Sequence, residues 1–593
     1  MSKLENLYNM LAKIGTLFLI LQICTGASIK QHIYANEEAL DGEGRYLLRW
    51  NVVEDRVEFE VEAGTLGFVG FGISPSGTMT GADIFIAGVG ADGSAYGQDF
   101  HATGETTPIL DTQQDWRLLE AYEMAAQNKT ILKFSRLLNT CDEQDFAIGN
   151  DTSRIIWALG ATDTISYHGA SNRGTKSLNL VHADTPELDV STMQNFTIAV
   201  NITMPAIDTS YWCTFHKGPT LASKNHIVAF DTLLPSLESF QHTHHFVVYT
   251  CKAPGNQTDE EYFDRFTYAN GVIGDHCFTT EELPIAQCQS VIYTWAKGGK
   301  MMIFPEQVGF PIGESPNAQY YMVEIHYDNP QLLEGVFFET ALAMYYTPEL
   351  RPIDAAILAL GQYVDISLTV PPNQDAFKVV GHCSPECTRE ALEPEGITVF
   401  ASMLHSHKSG RKMRTRHFRG NIELPWIDFD NQYDFDFQQN KILLETRQIL
   451  PGDQMSVECT YSSIWRRGEP VIGGHSTYEE MCQNLLWYYP RGGLGCMSRY
   501  DVDTHLADFG VETYHTVQGA SNLRYIIDTP TSIAGDYYDL VATKFNWTED
   551  FLRAYQEERL NGDQQSHCGA LRPTRYPTNF VEYVPVDECA IKK

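Results

Sequence analysis

The chain has 593 residues, of which 43% are hydrophobic and 12% aromatic. This length exceeds what a single hydrophobic core supports, so we expect about three or four packed domains and no largely disordered chain. The formal net charge of −34 would repel a phosphate backbone, which argues against a nucleic-acid partner. Such acidity usually serves solubility, and it can also attract small cationic substrates such as amines.

The N-terminus has the order of a secretory signal. Residues 1–27 carry Lys3 and Lys13, then the apolar run from Ile14 to Cys24, then small residues. The run is too short to cross a bilayer comfortably, and no later stretch approaches the apolar length of a membrane helix. We therefore predict a signal peptide over 1–27, no transmembrane helix after its removal, and a protein that is secreted or held in the lumen of the endoplasmic reticulum or secretory granules. An uncleaved signal anchor is the alternative.

Cysteines and glycosylation sequons also indicate an oxidising compartment. Thirteen cysteines include Cys24 in the signal, and the even number that remains predicts a set of disulfides. Acceptor sequons occur at Asn128, Asn150, Asn195, Asn201, Asn256 and Asn546. We therefore expect a disulfide-rich glycoprotein.

The mature chain begins with alternating apolar and polar runs separated by Gly, Asp and Asn turns. These runs predict an antiparallel β-sandwich over residues 40–182, including a hairpin over 81–97. A polar segment with Pro186 follows and is a candidate linker. Two further strand-rich blocks are predicted over 195–365 and 366–510.

Residues 511–593 form a C-terminal segment. It contains the clearest helical pattern of the chain, over 545–560, with Asn546 or Thr548 as its N-cap. Long helical periodicity is otherwise scarce, so the sequence predicts a mainly β protein.

A His-x-His pair, His405 and His407, follows the apolar run ITVFASML, which predicts a strand. Residues i and i+2 of a strand point to the same face, so both imidazoles could reach one metal ion. A lone His-x-His pair is nevertheless more often structural than metal-binding.

The tract HTHH (242–245) contains a second group of histidines. Ideal strand geometry favours His242 and His244 as a pair because they share a face. A site built from His244 and His245 needs a twist, a bulge or a strand end, since neighbouring residues point to opposite faces. The residues alone leave both choices open.

His326 and Met481 are weaker candidates when each is taken alone. His326 lies near the end of the predicted strand YYMVEIHYD, where a histidine is usually a surface or hydrogen-bonded residue. Met481 lies in YEEMCQNLLWYYP and would ordinarily fill a gap in the core. Imidazole and thioether are, however, the neutral donors that suit copper, whereas zinc and calcium sites favour thiolates or carboxylates.

The order of these segments resembles that of the copper type II ascorbate-dependent monooxygenases. The motifs that carry the resemblance are YWC (211–213), HTHHFVVYTC (242–251), HYDNP (326–330), FASMLHSHKSGRK (400–412), EEMC (479–482) and WYYP (487–490). The resemblance covers nearly the whole mature chain and begins with a DOMON-like domain. It implies a mainly β fold, with a DOMON-like β-sandwich followed by two antiparallel, jelly-roll-like copper domains.

The resemblance implies two coppers per chain with separate tasks. The electron-transfer copper would be bound by His244, His245 and His326. The oxygen-activating copper would be bound by His405, His407 and Met481. Tyr211 and His405 would take part in catalysis. Ascorbate would supply electrons, and O2 would hydroxylate an aliphatic C–H of a small aromatic amine or a related apolar molecule.

The family's cysteine pattern implies six disulfides: Cys141–Cys589, Cys213–Cys277, Cys251–Cys288, Cys383–Cys496, Cys387–Cys568 and Cys459–Cys482. The additional cysteines that link protomers in some members have no counterpart here. We therefore expect no interchain disulfide, and a non-covalent dimer stays open.

Departures from the family pattern bear on the substrate and on the first domain. Peptide-amidating members have an arginine two residues before the His-x-His pair, and this chain has Met403, so peptide amidation is disfavoured.

Asp83 and Asp115 match positions proposed to hold a metal in a family member, although a solvated turn is the more ordinary role for each. The alternative to an enzyme is a non-catalytic copper- or ligand-binding glycoprotein of the same fold.

Overall fold

A computed structural model describes residues 34–183, 188–277, 283–315, 317–518 and 523–586, together with Cys589. The predicted signal and the centre of the candidate linker lie outside these residues. Strands dominate the described chain, which confirms the mainly β class. No helix within the described ranges is long and apolar enough to cross a membrane.

Two sheets form the N-terminal sandwich. Its strands are β1 (Asn36–Ala39), β2 (Tyr46–Val53), β3 (Arg56–Ala63), β4 (Val69–Ser74), β5 (Asp83–Val89), β6 (Ala95–His101), β7 (Ile109–Leu110), β8 (Arg117–Met124), β9 (Lys129–Leu137), β10 (Ser153–Leu159) and β11 (Arg173–Leu178). One sheet has the order β1-β2-β3-β9-β8 and the other β11-β10-β4-β5-β6-β7. The predicted hairpin is confirmed, since β5 pairs antiparallel with β6. Alternate residues of β3 are fully buried, as the period-two pattern requires.

The next block also consists of two sheets. Its strands are β12 (Gln194–Thr203), β13 (Thr209–Lys217), β14 (Asn225–Leu233), β15 (Thr243–Cys251), β16 (Asp275–His276), β17 (Cys288–Ala296), β18 (Met302–Ile303), β19 (Val308–Ile312), β20 (Tyr320–Asp328), β21 (Phe337–Thr347) and β22 (Ile353–Asp354). The sheet β16-β13-β20-β15-β17 carries the predicted histidines, and the other sheet runs β12-β21-β14-β19-β22, with β18 beside β14. Two short α-helices, α1 (Leu237–His242) and α2 (Asp259–Phe263), connect strands.

The remaining chain forms a larger block. Its strands are β23 (Ala356–Gln362), β24 (Thr369–Val370), β25 (Phe377–Cys383), β26 (Ile397–His405), β27 (Gly410–Arg419), β28 (Ile422–Asp430), β29 (Lys441–Ile449), β30 (Asp453–Tyr461), β31 (Val471–Ile472), β32 (Gln483–Tyr489), β33 (Cys496–Arg499), β34 (Thr513–Gln518), β35 (Leu523–Thr529), β36 (Gly535–Asp536), β37 (Gln564–His567) and β38 (Leu571–Thr574). The main sheet has the order β29-β26-β32-β23-β33-β37-β38, and β25-β30-β27-β28 forms the opposing sheet. Strand β23 therefore belongs to this block although it precedes the predicted boundary at residue 366.

Helices of this block lie mainly in its C-terminal part. They are α3 (Pro385–Ala391), α4 (Val502–Asp508), α5 (Tyr537–Asp539), which continues into a π-helical turn (Leu540–Lys544), and α6 (Glu549–Asn561). The predicted C-terminal helix is confirmed as α6, and its cap is Thr548, whose side chain accepts a hydrogen bond from the backbone N–H of Phe551. Short 3-10 turns occur at Ala125–Gln127, Val190–Thr192, Asp264–Phe266, Tyr268–Asn270, Ile285–Gln287 and Ile464–Arg466.

The second and third blocks share one hydrophobic core. Phe400, Met403 and Trp487 come from strands of the third block, yet they pack among buried residues of the second, such as Trp295 and Phe304. Burial of large aromatic side chains makes such a contact strongly stabilising. The two histidine-bearing sheets are therefore held side by side.

Each of the six predicted disulfides is present: Cys141–Cys589, Cys213–Cys277, Cys251–Cys288, Cys383–Cys496, Cys387–Cys568 and Cys459–Cys482. Two of these bonds tie the C-terminal segment to earlier parts of the chain. Strands β37 and β38 add to this, because they extend the main sheet of the third block.

Candidate metal centre

Three neighbouring strands place Tyr211, His326 and His245 on one line across a sheet. Tyr211 of β13 pairs with His326 of β20, and His326 pairs with His245 of β15. The Tyr211 ring stacks on the His326 ring, with centroids 4.7 Å apart and an interplanar angle of 14°. The sheet thus brings together residues that lie more than a hundred positions apart in sequence.

His244 joins this group because β15 contains a β-bulge. The register of β15 against β20 shifts between Thr243 and His245, so two consecutive residues on β15 face one position of its partner. The pairing of His242 with His244 that ideal strand geometry favoured is therefore wrong. His242 ends helix α1, and its Nδ1 contacts the carbonyl oxygen of Asp328 at 2.9 Å.

The imidazole nitrogens of the first group converge. The Nδ1 atom of His245 lies 3.2 Å from Nδ1 of His244 and 3.3 Å from Nδ1 of His326. Burial, and the neighbouring imidazoles, hold the pKa of each of these three histidines well below the usual value. The rings are therefore neutral, and their lone pairs are available to a metal ion.

The second group lies at the ends of two paired strands of the third block. His405 ends β26 and pairs with Gln483 at the start of β32. Extending this register by two residues would set His407 opposite Met481, on the neighbouring chain segment. The rings of His405 and His407 are 5.3 Å apart, and all three side chains are buried.

Glu480 holds the His-x-His turn in place. Its carboxylate accepts hydrogen bonds from the backbone N–H of His407 and from the Ser406 hydroxyl, each at 2.8 Å. Burial raises the pKa of Glu480 to about 7. The EEMC motif therefore contains both Met481 and the carboxylate that shapes the adjacent turn.

Hydrogen bonds also fix the orientation of the two imidazoles in the second group. Nδ1 of His407 donates to the carbonyl oxygen of Glu479 at 3.0 Å, and its buried Nε2 has no hydrogen-bond partner in the part of the chain that the structure describes. Nδ1 of His405 lies 2.8 Å from Oε1 of Gln438. A donor bond from Nδ1–H leaves the Nε2 lone pair for a metal, as is usual for metal-binding histidines.

The two groups touch each other. The rings of His245 and His405 are 5.3 Å apart, and the Tyr211 hydroxyl donates to the carbonyl oxygen of His475, in the segment leading to Met481. Tyr211 thereby contacts a histidine of the first group through its ring and the second group's loop through its hydroxyl.

Several residues around this centre were not predicted from the sequence: Phe435, Gln438, His475 and Glu480. Phe435 stacks on His244 with centroids 4.0 Å apart, and burial lowers the pKa of His475 to about 4. Glu480 lies in the EEMC motif and His475 lies shortly before it, whereas Phe435 and Gln438 lie in a loop without any recognised motif. Only the tertiary structure places that loop at the site.

Comparison with known proteins gives the family. The model of the copper type II ascorbate-dependent monooxygenase N-terminal domain matches residues 196–334, that of the C-terminal domain matches 353–518, and a DOMON model matches 42–160. DBH-like monooxygenase protein 1 of Gallus gallus is 36% identical over 545 residues, which cover 90% of this chain and 86% of that protein. The chain belongs to the copper type II ascorbate-dependent monooxygenase family.

Other members of the family are also similar over most of their length. The Homo sapiens DBH-like monooxygenase protein 1 is 36% identical over 538 residues, covering 88% of this chain and 84% of that protein. Dopamine beta-hydroxylase of Rattus norvegicus is 30% identical over 558 residues, covering 91% of this chain and 85% of that protein. The predicted fold class, copper monooxygenase activity and use of copper and ascorbate are therefore confirmed at the level of the family, and the non-catalytic alternative is not favoured.

The side chains present fit copper. Besides the converging Nδ1 atoms of the first group, the buried Nε2 atom of His407 has no hydrogen-bond partner among the described residues. An orphaned buried nitrogen is costly, and a metal ion or a bound molecule that accepts its interaction removes that cost. Neutral imidazoles with one thioether are donors that copper accepts in both of its oxidation states.

Asp83 and Asp115 of the DOMON domain were expected to lie in solvated turns, and the structure differs from this expectation at Asp83. Asp83 is 1% exposed, pairs with Arg136 and accepts a hydrogen bond from the Trp116 indole, so a solvated turn is wrong for this residue. Its carboxylate joins those of Asp99 and Asp145 within 4.8 Å of one another. Asp115 is partly exposed, and its backbone N–H donates to Asp99.

Proposed function

We propose that the two groups of side chains bind the two copper ions of this monooxygenase. The first ion is held by His244, His245 and His326. The second ion is held by His405, His407 and Met481. The observation that carries this proposal is the direct contact of the two buried, neutral donor groups at His245 and His405.

The donor sets support separate roles for the two ions. When bound, copper supplies the one-electron chemistry by which ascorbate and O2 are consumed. A thioether favours Cu(I), so the group with Met481 suits the ion that meets O2. Three imidazoles suit an ion that passes single electrons onward.

The protein's own groups orient these donors and keep water away. Glu480 fixes the turn between His405 and His407, and Tyr211 covers His326 with its ring. The Tyr211 hydroxyl ties the first sheet to the loop before Met481. We assign Tyr211 and His405 to the catalytic machinery because they lie where the two donor groups meet.

The proposed substrate is a small aromatic amine or a related apolar molecule. Met403 is 2% exposed, and its sulfur accepts a hydrogen bond from the Thr294 hydroxyl at 3.1 Å. This position therefore offers no cation to a substrate carboxylate, which disfavours peptide amidation. The net charge of −34 favours the approach of cationic amines.

A substrate screen tests this proposal. Copper-loaded protein is supplied with ascorbate and O2, and phenylethylamines are compared with uncharged apolar analogues by oxygen uptake and product mass. We expect oxygen uptake to match the amount of hydroxylated product. Uptake without any hydroxylated product across the amines and their analogues would contradict the substrate class.

We also propose that the protein is a glycoprotein of the secretory pathway, secreted or lumenal. Its disulfides and the exposed sequons at Asn128, Asn195 and Asn256 support this location. Digestion with an N-glycosidase should increase the gel mobility of protein from animal cells. An unchanged mobility would contradict the glycosylation.

A further inference from the structure

A loop between β28 and β29 reaches both donor groups. This loop, residues 430–441, is called the bridging loop below. Its Phe435 stacks on His244 at a centroid distance of 4.0 Å and contacts the His407 ring at 6.1 Å. Its Tyr433 hydroxyl donates to the carbonyl oxygen of Ser406 at 2.5 Å and accepts from the Ser406 N–H at 2.8 Å. The loop therefore forms hydrogen bonds with the backbone between His405 and His407, and it packs on the His244 ring of the first group.

Gln438 of the bridging loop also forms a hydrogen bond with a proposed copper ligand. Its Oε1 lies 2.8 Å from Nδ1 of His405, while its Nε2 donates to the carbonyl oxygen of Phe435 at 2.8 Å. Because Nε2 is occupied as a donor, the amide oxygen must face His405, and Nδ1 of His405 must carry the proton. Gln438 thus selects the imidazole form whose Nε2 lone pair is free for the metal.

A chain of backbone hydrogen bonds joins Gln438 to the first donor group. The Gln438 N–H donates to the carbonyl oxygen of Lys297 at 3.0 Å, and the Lys297 N–H donates to the carbonyl oxygen of His244 at 2.8 Å. The orientation of His405 is thereby linked to the position of β15. This route from His405 to His244 passes through Gln438 and Lys297 and contains three hydrogen bonds.

The DOMON domain holds the other side of the bridging loop. The Thr152 hydroxyl donates to the Asp430 carboxylate at 2.6 Å, and the Arg154 guanidinium donates to the carbonyl oxygen of Tyr433 at 2.7 Å. The Ser177 hydroxyl donates to Asp434 at 2.5 Å. These bonds are partly buried, and hydrogen bonds to charged groups are stronger than those between neutral groups.

We propose that the DOMON domain braces the copper centre through the bridging loop, and that Gln438 is a positioning residue that fixes the His405 imidazole. This inference rests on the proposed ligand set. Through this loop the DOMON domain affects the reaction, although the domain itself supplies no copper ligand. It acts on the geometry of the second site, because Tyr433 and Gln438 both contact the His405–His407 turn.

The first experiment compares Gln438→Leu with Gln438→Glu in the copper-loaded full chain. The control is Gln439→Leu, because Gln439 is the sequence neighbour and lines the cleft of about 1570 Å³ between the domains. Each variant is characterised by copper content, the Cu(II) electron paramagnetic resonance spectrum, kcat and KM. Loss of an outer hydrogen bond to a metal-binding histidine typically costs about 10–100-fold in metal affinity or activity.

We expect Gln438→Leu to change the spectrum of one copper. We also expect the affinity of the protein for that copper, or the kcat of the enzyme, to fall by about 10–100-fold. Gln438→Glu keeps an acceptor oxygen for Nδ1–H and should retain a spectrum close to that of the unchanged protein. A Gln438→Leu spectrum and kcat equal to those of Gln439→Leu would overturn the positioning role. If the unchanged protein bound fewer than two coppers, the ligand proposal itself would fail, and the two failures are thus distinguishable.

The second experiment tests the brace from the DOMON side. Arg154→Met removes the bond to Tyr433, whereas Arg56→Met changes an arginine on the opposite sheet that bonds Ser135. We expect Arg154→Met alone to shift the same copper signal and to lower kcat with little change in KM. Identical spectra for the two variants would overturn the brace, and this comparison decides the matter if Gln438→Leu does not fold.

Discussion

The imidazole rings of His245 and His405 lie 5.3 Å apart at an interplanar angle of 78°, although they come from different blocks of the chain. Both rings are buried, so no solvent layer separates the two donor groups at this point. The shared core around Trp295 and Trp487 holds this contact in place. An electron leaving the first copper would therefore have a short path through the ligands themselves.

This contact predicts that the two copper ions interact magnetically. In the fully oxidised, copper-loaded protein, we expect dipolar broadening of the Cu(II) resonance. The His245→Ala variant, which should hold the second copper alone, is expected to show a narrower single-site spectrum. A wild-type spectrum equal to the sum of two isolated Cu(II) sites would contradict the close arrangement.

The bulge in β15 predicts which histidines of the HTHH tract bind copper. Replacing His245 with Ala should remove one copper per chain, because His245 contributes the central nitrogen of the first group. Replacing His242 with Asn should leave both coppers, since His242 bonds the Asp328 carbonyl and lies outside the group. Copper analysis after dialysis measures the difference. Loss of copper from the His242 variant and retention in the His245 variant would reverse the assignment.

Met481 is predicted to supply a sulfur ligand. Met481→Leu conserves volume and should cost less than about 1.5 kcal/mol of stability, yet it removes the thioether. We expect the Cu–S contribution to the X-ray absorption spectrum of the Cu(I) protein to disappear. Met497→Leu serves as the matched control and should retain it. A sulfur contribution that survives in Met481→Leu would exclude this ligand.

Tyr211→Phe should keep the aromatic stack on His326 and lose the bond to the His475 carbonyl. Such a bond contributes about 0.5–1.5 kcal/mol to stability, so a modest fall in Tm is expected. Because Tyr211 lies between the donor groups, we also expect kcat to fall more than KM changes, with copper content unaffected. Tyr249→Phe on β15 is the control. Equal kcat values for the two variants would leave Tyr211 a structural role only.

The acidic cluster of the DOMON domain predicts a pH-dependent stability. Burial raises the pKa of Asp99 to about 8, above the value of about 4 in an unfolded chain. The protonated carboxyl therefore stabilises the fold fully below about pH 4, and this contribution is lost as the pH rises towards 8. Asp99→Asn should flatten the dependence of Tm on pH in this range, whereas Asp55→Asn in an exposed turn should not. A steeper dependence in Asp99→Asn would contradict the direction of the pKa shift.

The sequence predicted most of the fold because its signals are local or follow the family pattern. Period-two alternation identified the first sandwich, the cap at Thr548 began α6, and the family's cysteine order gave every disulfide pair. Strand geometry failed at His242, because the bulge in β15 depends on its register with β20, which a local pattern does not contain.

The surroundings of the site could not be predicted for a related reason. Phe435 and Gln438 meet the histidines only after three blocks have packed together. Asp83 looked like part of a turn, yet its partner Arg136 comes from β9 of the other sheet. Contacts between distant segments carry no signature in the residues that make them.

A single-turnover experiment tests the central claim most directly. Copper-loaded protein is reduced with ascorbate under anaerobic conditions, freed of excess reductant, and mixed with O2 and a phenylethylamine that the screen has identified as a substrate. Two Cu(I) ions provide the two electrons that, with two protons, convert one oxygen atom to water while the other enters the C–H bond. We predict about one hydroxylated product per chain for the wild type and almost none for Met481→Leu. Equal product yields from the two proteins would contradict the two-copper account.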